Sequence, residues 1–298
     1  MDTRFNVDSH FVIGKLHIRQ HKPCQDHARD GVIGSGAFGV ISDGCSSGGH
    51  TDIGARLVTC AASSVLTAYL SGPDLKPLAA KGIPGQLEHE IFDRIESGRQ
   101  LLGLQSRDLF ATCLYAVLTP QGGFVRILGD GCVILIYQNG EVVFRQYQWK
   151  GNRPFYPAYR DSDLDLFRLK QAETGDLDNL VEREIQIRSD GTTETCERIH
   201  SLEEGIQGIT LPLSARCLRK NLKSVILCSD GVENFLSGNT LVGSEEIIRR
   251  LADIKTWKGE FIKRRLGRLL ADLSKKGIEP SDDIACSGIS LGEMEQQP

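Results

Sequence analysis

The sequence lacks long apolar runs, paired Cys-x-x-Cys motifs and a strong excess of either charge. Its longest apolar stretches resemble VILIY, far short of the roughly 20 residues that a membrane-spanning helix needs. The N-terminal segment MDTRFNVDSH has no basic stretch followed by an apolar one, as a signal peptide would. The net charge is only −4. We therefore expect a cytoplasmic protein with neither nucleic acid nor a membrane as its partner.

The nine cysteines form no recognisable framework. Their number is odd, they are scattered, and most lie among apolar residues, which favours reduced, buried thiols over disulfides or a zinc site. None of them begins a C-x5-R loop, so a cysteine-based phosphatase is disfavoured.

The chain also lacks internal repeats, low-complexity segments and linkers rich in Gly, Pro or Ser. Its 298 residues therefore predict one α+β domain over residues 1–298, with an irregular insert at about 150–208. Asn139-Gly140 between two apolar runs predicts a hairpin. The periodicity predicts a first strand within 11–18, a strand or strand pair over 31–42, a dense β region at 111–149, strands within 224–231 and over 283–291, and helices at 51–70, 85–104, 244–253 and 257–275.

The segment IGSGAFGVISDG contains a G-x-G-x-x-G pattern that is typical of nucleotide-binding loops. A kinase loop would need a lysine on the next strand and later H-R-D and D-F-G triplets. No lysine occurs between Lys22 and Lys76, and neither triplet is present. A dinucleotide loop would open a helix, whereas β-like VIS follows here. The glycines therefore indicate a turn and close strand packing.

Several aspartates share one context, in which a short apolar run ends at an acidic residue. The segments are VISDG, RILGDG, VILCSDG and PSDDIA, with another acidic site in PCQDHA. One Asp-Gly pair is more often a plain turn, but carboxylates gathered at one sheet edge repel one another unless a cation lies between them. Hard cations such as Mg²⁺ and Mn²⁺ prefer oxygen ligands. The four strand-end segments, which carry Asp43, Asp130, Asp230 and the pair Asp282-Asp283, and the fifth site at Asp26 therefore favour a metal site over unrelated turns.

The order of these motifs resembles that of PP2C-type metal-dependent protein phosphatases, particularly their compact bacterial branch. The matching segments, over roughly residues 10–292, are CQDHA, DGCSSGGHTDIGAR, Gly129-Asp130-Gly131, ILCSDGVENFL and DDIA. The resemblance implies a four-layer α-β-β-α sandwich, with two central antiparallel sheets and a binuclear centre at one end.

By the same resemblance, Asp43 would bridge two divalent ions, Mg²⁺ or Mn²⁺, and Gly44 would offer its backbone carbonyl. Asp230 and Asp282 would complete the coordination of one ion, and Asp26 would help to bind the other ion directly or through water. Asp130 would help to bind a third ion more weakly. The implied reaction is attack on phosphorus by a metal-activated water, with Asp26, Asp43 and His21 as its catalytic residues.

The sequence departs from the family pattern at two places. Gln25 stands where Glu is common, and His21 where an arginine often binds the substrate phosphate; His21 is equally well explained as an exposed loop residue. Asp283 occupies a position that is often Asn and is predicted to support the ligands. His50 is a weaker candidate acid. Residues 150–170 are either a substrate-facing flap or a packed irregular loop, and the basic run at 263–276 is interpreted as a solvated helix face.

The sequence thus predicts a phosphoserine/phosphothreonine protein phosphatase, whose partner is a phosphorylated protein and, through it, a Ser/Thr kinase or its targets. Two alternatives remain open. One is a catalytically weak domain that binds a phosphoprotein or acts as a regulatory scaffold. The other is a phosphatase for a small phosphorylated metabolite, with residues 150–208 shaping a narrower pocket.

Overall fold

The computed structural model describes residues 5–72, 78, 82–162, 164–173 and 180–292. The strands are β1 (Phe5–Val12), β2 (His27–Ile33), β3 (Gly36–Ser42), β4 (Cys113–Thr119), β5 (Gly122–Leu128), β6 (Gly131–Tyr137), β7 (Val142–Trp149), β8 (Leu180–Ile187), β9 (Thr193–His200), β10 (Ile209–Ser214), β11 (Leu222–Cys228), β12 (Phe235–Ser237), β13 (Thr240–Leu241), β14 (Ile278–Pro280) and β15 (Ile284–Leu291). The helices are α1 (Lys15–Arg19), α2 (Thr51–Ser71), α3 (Ile83–Leu102), α4 (Tyr159–Ser162), α5 (Leu164–Glu173), α6 (Leu202–Gln207), α7 (Ala215–Lys220), α8 (Ser244–Ala252) and α9 (Phe261–Ser274).

Two antiparallel sheets form the centre of the molecule. One has the strand order β1-β15-β11-β6-β7-β8-β9, and the other has the order β10-β5-β4-β3-β2. One apolar core lies between the sheets, a second lies between the five-stranded sheet and α2 and α3, and a third lies between the seven-stranded sheet and α8 and α9. These three cores confirm the predicted four-layer sandwich.

The layering follows from strands that are apolar on both faces. On β3, Ile41 points into the core between the sheets while Val40 points towards the helices. On β11, Leu227 and Ile226 divide in the same way between the inner core and the α8/α9 layer. A strand that is covered on both faces needs a continuous apolar run rather than an alternating one. Runs such as VILIY therefore belong to interior strands.

Helix α2 is longer than the short apolar runs noted in the sequence. It has 21 residues, and an 18-residue window of it has a mean hydropathy of 1.4, so by length and composition alone it could cross a membrane. In the structure, 56% of that window is buried inside the protein. Residues such as Val58, Ala62 and Val65 pack on the five-stranded sheet. The apolar composition of α2 is thus accounted for by core packing, as in many core helices.

Two other expectations were wrong. Leu16-His17-Ile18 was predicted to be part of a strand, but it lies in α1, where His17 is buried and the two apolar residues point outward, 46% and 54% exposed. Five residues are too few to show a helical period. The region 150–208 is also more regular than predicted, because β8 and β9 pair along eight residues and extend the seven-stranded sheet. The Asn139-Gly140 hairpin between β6 and β7 is confirmed.

Candidate metal centre

Asp26 and Asp43 lie at the open end of the β2–β3 hairpin. His27 and Ser42 form the last registered pair of these strands, and the Gly44 N–H donates to the Gln25 carbonyl at 3.1 Å. The pairing therefore continues past both aspartates and sets them opposite each other. Their carboxyl groups are close enough to influence each other's pKa.

The backbone of Asp43 is fixed by the strand segment that leads into β4. The Asp43 N–H donates to the Thr112 hydroxyl at 3.0 Å, and the Asp43 carbonyl accepts from the Thr112 N–H at 2.8 Å. Gly44 follows in a crowded position, where a Cβ atom would lie 2.7 Å from the Thr51 carbonyl oxygen and 2.8 Å from that of Gln25. Glycine is therefore needed at the second residue of this Asp-Gly pair.

Asp130 occupies the turn between β5 and β6. Its neighbours Gly129 and Gly131 have φ values of +103° and +136°, which residues with side chains rarely adopt. The indole N–H of Trp149 donates to the Gly129 carbonyl at 3.0 Å and braces the turn. Asp130 itself is only 7% exposed. The two glycines thus deliver a buried carboxylate to the end of the sandwich.

Asp230 follows β11 and Asp282 precedes β15, two strands that are adjacent in the seven-stranded sheet. The two segments are in close contact, since a Cβ atom on Gly231 would lie 1.8 Å from the Asp283 carbonyl oxygen. Ser229 joins them, because its N–H donates to the Ala285 carbonyl at 3.0 Å and its hydroxyl accepts from the Ala285 N–H at 2.9 Å. Five chain segments therefore bring carboxylates to one end of the sandwich.

Burial and mutual repulsion raise the pKa values of these groups. Burial, and then the charge of Asp230, raise the pKa of Asp130 to about 8. Burial, and then the charge of Asp282, raise the pKa of Asp230 to about 6, although a hydrogen bond with Asp43 opposes this rise. The pKa values of Asp26 and Asp43 lie well above the usual range, again chiefly because of burial and then because of neighbouring carboxylates. Without a cation the carboxyl groups of this site therefore keep protons at a higher pH than exposed aspartates do.

Two buried oxygen atoms in the cluster have no hydrogen-bond partner among the described residues. They are Gln25 Oε1 and Asp26 Oδ2, in residues that are 6% and 3% exposed. The amide nitrogen of Gln25 donates to the Thr51 hydroxyl at 2.7 Å, which fixes the orientation of the amide. Buried polar atoms are normally paired. Oxygen donors without partners, beside several carboxylates, are the ligand set that Mg²⁺ and Mn²⁺ prefer, so the residues present fit such ions.

His17, Asp282 and Asp283 form a neighbouring cluster, with one potential ligand atom of each lying within 4.8 Å of the others. His17 and Asp283 are buried and Asp282 is partly exposed. His17 was not among the predicted site residues, because a strand over residues 16–18 gives no reason to place it near Asp283. A separation of more than 260 residues carries no local signal for such a pair.

The predicted histidines do not join the carboxylates. His21 follows α1 with a left-handed backbone (φ 55°), and its exposed side chain makes no hydrogen bond or ion pair with the described residues. The next residue, Lys22, reaches the Ser46 carbonyl at 3.4 Å and so lies beside the loop that follows Gly44. His50 is exposed at the start of α2. The roles of His21 and His50 stay predictions.

Tyr156 lies beside the carboxylate cluster, and it was not predicted from the sequence. Its ring stacks on Phe110 with a centroid distance of 5.6 Å and an interplanar angle of 12°. The preceding Phe155 carbonyl lies 3.3 Å from the Cβ position of Gly129. Burial, the neighbouring Cys45 and the charges of the cluster raise the pKa of Tyr156. The start of the 150–170 segment is therefore packed beside the centre.

The comparisons with known proteins agree with this architecture. The family model for protein phosphatase 2C matches residues 13–271, and the chain belongs to that family. Serine/threonine phosphatase Stp1 from Staphylococcus aureus has a similar structure, with a TM-score of 0.55 and 13% identity over 98% of this chain and 97% of that one. A bacterial serine phosphatase aligns with a TM-score of 0.51 and 13% identity, covering 98% of this chain and 100% of the other. At these identities the structures show a shared fold. The comparison with curated proteins gives no match.

Proposed function

We propose that this protein is a metal-dependent phosphoserine/phosphothreonine protein phosphatase with a binuclear Mg²⁺ or Mn²⁺ centre. The observation that carries the proposal is the convergence of Asp26, Asp43, Asp130, Asp230 and Asp282, together with the unpartnered Gln25 and Asp26 oxygens. Membership of the protein phosphatase 2C family supports it. The ions would supply the Lewis acidity that makes water a nucleophile near neutral pH and offsets the charge of the phosphate.

Each carboxylate has a role that follows from its place. The Asp43 carboxyl group interacts with those of both Asp26 and Asp230, so we assign it the place between two ions. Gln25 and Asp26 precede β2, whereas Asp230 follows β11 and Asp282 precedes β15. Asp130 interacts chiefly with Asp230, which suits a third and weaker ion. The Gly44 carbonyl follows Asp43 directly and would complete the coordination.

The partly exposed surfaces of Asp43, Asp230 and Asp282 leave an open approach for a phosphate monoester. Lys22 lies beside the Ser46 carbonyl at the rim, and His21 next to it is free to turn towards a ligand. We propose that this rim receives a phosphorylated side chain of another protein, the product of a Ser/Thr kinase, in the cytoplasm. A single domain that spans the chain is part of the same proposal.

The test is hydrolysis of p-nitrophenyl phosphate and of a phosphothreonine peptide during a titration with Mn²⁺. Asp43→Asn is expected to lower turnover by at least about 10²-fold, because it removes the carboxylate shared by both halves of the centre. Asp272→Asn, which changes an exposed aspartate on α9, is the matched control and should retain wild-type turnover.

Well-folded protein without turnover at any Mn²⁺ concentration would contradict the proposal and favour the phosphoprotein-binding scaffold. Phosphopeptide binding measured on the same sample would identify that alternative. Turnover confined to small phosphorylated metabolites would instead point to the narrower pocket. A fully active Asp43→Asn variant would remove Asp43 from the centre.

A further inference from the structure

Asp283 is a buried carboxylate whose hydrogen bonds all reach the N-terminal part of the chain. It is 2% exposed. Its Oδ1 accepts from the Gly14 N–H at 2.6 Å, and its Oδ2 accepts from the Gln25 N–H at 2.6 Å and from His17 Nδ1 at 2.8 Å. A carboxylate only accepts, so Nδ1 carries the hydrogen. Both oxygens are already engaged, which makes Asp283 an anchor for other residues rather than an ion ligand.

The same two segments are also packed tightly against each other. A Cβ atom on Gly14 would lie 2.2 Å from the Asp282 carbonyl carbon, and the Leu16 N–H donates to the Ser281 carbonyl at 3.2 Å. Residues 14–17 therefore rest directly on residues 281–283, with no room for another side chain. Contacts of this kind transmit a displacement of one segment to the other.

The two residues joined by this contact, Gln25 and Asp283, are each next in sequence to a proposed ion ligand. Gln25, held through its backbone N–H, precedes Asp26, and Asp283 follows Asp282. The hydrogen bond between Gln25 and Asp283 spans 258 residues of sequence. The His17 side chain bonds directly to Asp283 Oδ2 and so helps to fix where that oxygen lies, and the Cys24 thiol also interacts with the Asp283 carboxylate.

We propose that His17 and Asp283 form a positioning pair that sets the separation of Asp26 from Asp282 and thereby the affinity of the centre for divalent cations. The inference rests on the proposed function. The pair touches neither the substrate nor the reacting atoms. Its effect therefore belongs to ion binding, and turnover at saturating ion should be nearly independent of it. Partners of this kind typically change ion affinity by roughly 10–100-fold when they are removed.

The experiment is calorimetric titration of the metal-free protein with Mn²⁺, which needs no turnover. His17→Leu is expected to bind Mn²⁺ roughly 10–100-fold more weakly than the wild type. His17→Asn should recover most of the affinity, because its amide nitrogen takes the place of Nδ1. With Mn²⁺ raised to saturation, turnover by His17→Leu should return close to the wild-type value.

His200→Leu is the matched control, because His200 is also buried and hydrogen-bonds a buried carboxylate, Glu182, at 2.8 Å. It lies at the end of β9, in the outer part of the seven-stranded sheet. We expect this variant to lose folding stability while retaining wild-type Mn²⁺ affinity. If His17→Leu does not fold, His17→Gln, which keeps a polar group but moves the donor, is measured in its place and should show the weaker affinity.

Wild-type Mn²⁺ affinity in His17→Leu, or in His17→Gln where that variant is used, would overturn the inference. An equal loss of affinity in His200→Leu would also overturn it, since the effect would then be general destabilisation. Wild-type protein that binds no Mn²⁺ would overturn both the centre and the pair. Wild-type protein that binds Mn²⁺ without hydrolysing phosphate would contradict the proposed function alone, and the affinities of the variants would still decide the role of His17.

Discussion

At the scale of single residues, Asp130 and Asp230 keep protons that exposed aspartates lose well below neutral pH. Their pKa values are about 8 and about 6 in the folded protein, raised by burial and by neighbouring carboxylates. In the unfolded chain both return to about 3.9. Between these limits the folded state binds more protons than the unfolded state, so its stability falls as the pH rises.

We therefore predict that the metal-free protein is most stable near pH 4–5 and loses stability steadily up to about pH 8. The measurement is the free energy of unfolding in urea across this pH range, with a chelator present. Asp130→Asn should flatten the upper part of the fall, since it removes the group with the higher pKa. A metal-free protein that gained stability between pH 5 and pH 8 would contradict the assignment of these raised pKa values.

Although the Gln25 side chain is neutral, a carboxylate lies close to this residue. The carboxylate of Asp283 accepts the Gln25 N–H at 2.6 Å, so an acidic group stands directly behind that residue. From the sequence, Gln25 was a departure from the family pattern and Asp283 a support for the ligands, with nothing to link the two. Only the fold shows that they touch, because 258 residues separate them in the chain.

At the scale of elements, Glu88 on α3 joins two parts of the structure near the centre. Its carboxylate is 2% exposed and pairs with Arg126 on β5 and with Arg160 on α4. The Arg160 guanidinium also lies 4.4 Å from the centroid of the Phe92 ring. Because α4 follows Tyr156 by three residues, this ion cluster helps to hold the 150–162 segment beside the centre.

We predict that Glu88→Gln lowers the free energy of unfolding by about 3–5 kcal/mol, because it leaves the buried Arg126 without its counter-ion. Urea unfolding gives this value, and limited proteolysis should show faster cleavage within 150–162. Glu96→Gln is the comparison, since Glu96 pairs with Arg99 on the surface of the same helix and should change stability by less than about 1 kcal/mol. Similar losses of unfolding free energy in both variants would mean that the buried ion cluster stabilises the fold no more than the surface pair does.

The elements that the sequence predicted well are those with long, regular patterns. Helices α2, α3, α8 and α9 and the Asn139-Gly140 hairpin all follow from local periodicity or turn chemistry. The β8–β9 pair was missed because β9 is exposed along nearly its whole length, so its sequence TETCERIH has no apolar alternation. The acidic motifs could be predicted because each is a short local pattern in the sequence. His17 and Tyr156 lie beside these carboxylates only through tertiary contacts, which no local pattern shows.

At the scale of the whole molecule, ion binding and folding are linked. The metal-free centre holds repelling carboxylates, and an ion that binds only the folded state stabilises it by RT ln(1 + [L]/Kd). At 100 times Kd this amounts to about 2.7 kcal/mol. For a chain of this size, each kcal/mol raises Tm by roughly 2–4 °C.

We therefore predict that saturating Mn²⁺ at pH 8 raises Tm by about 5–10 °C, as measured by differential scanning calorimetry. Asp282→Asn should lose most of this increase, because it removes one proposed ligand without adding bulk. Mg²⁺ and Ca²⁺ at the same concentration provide the comparison of ions. A wild-type Tm that does not respond to Mn²⁺ would argue against a centre that binds ions in the folded state.

The position of β15 has a consequence for the order of events during synthesis. This strand lies between β1 and β11, and it directly follows Asp282 and Asp283. A nascent chain on the ribosome already carries Asp26, Asp43, Asp130 and Asp230 while the place between β1 and β11 is still empty. Translation of the last segment therefore supplies β15, which joins β1 to β11, together with Asp282 and Asp283. Asp283 is the residue that holds His17. A partly made chain would carry four acidic residues without the strand that completes their surroundings, so the acidic cluster would assemble only once translation has passed β15.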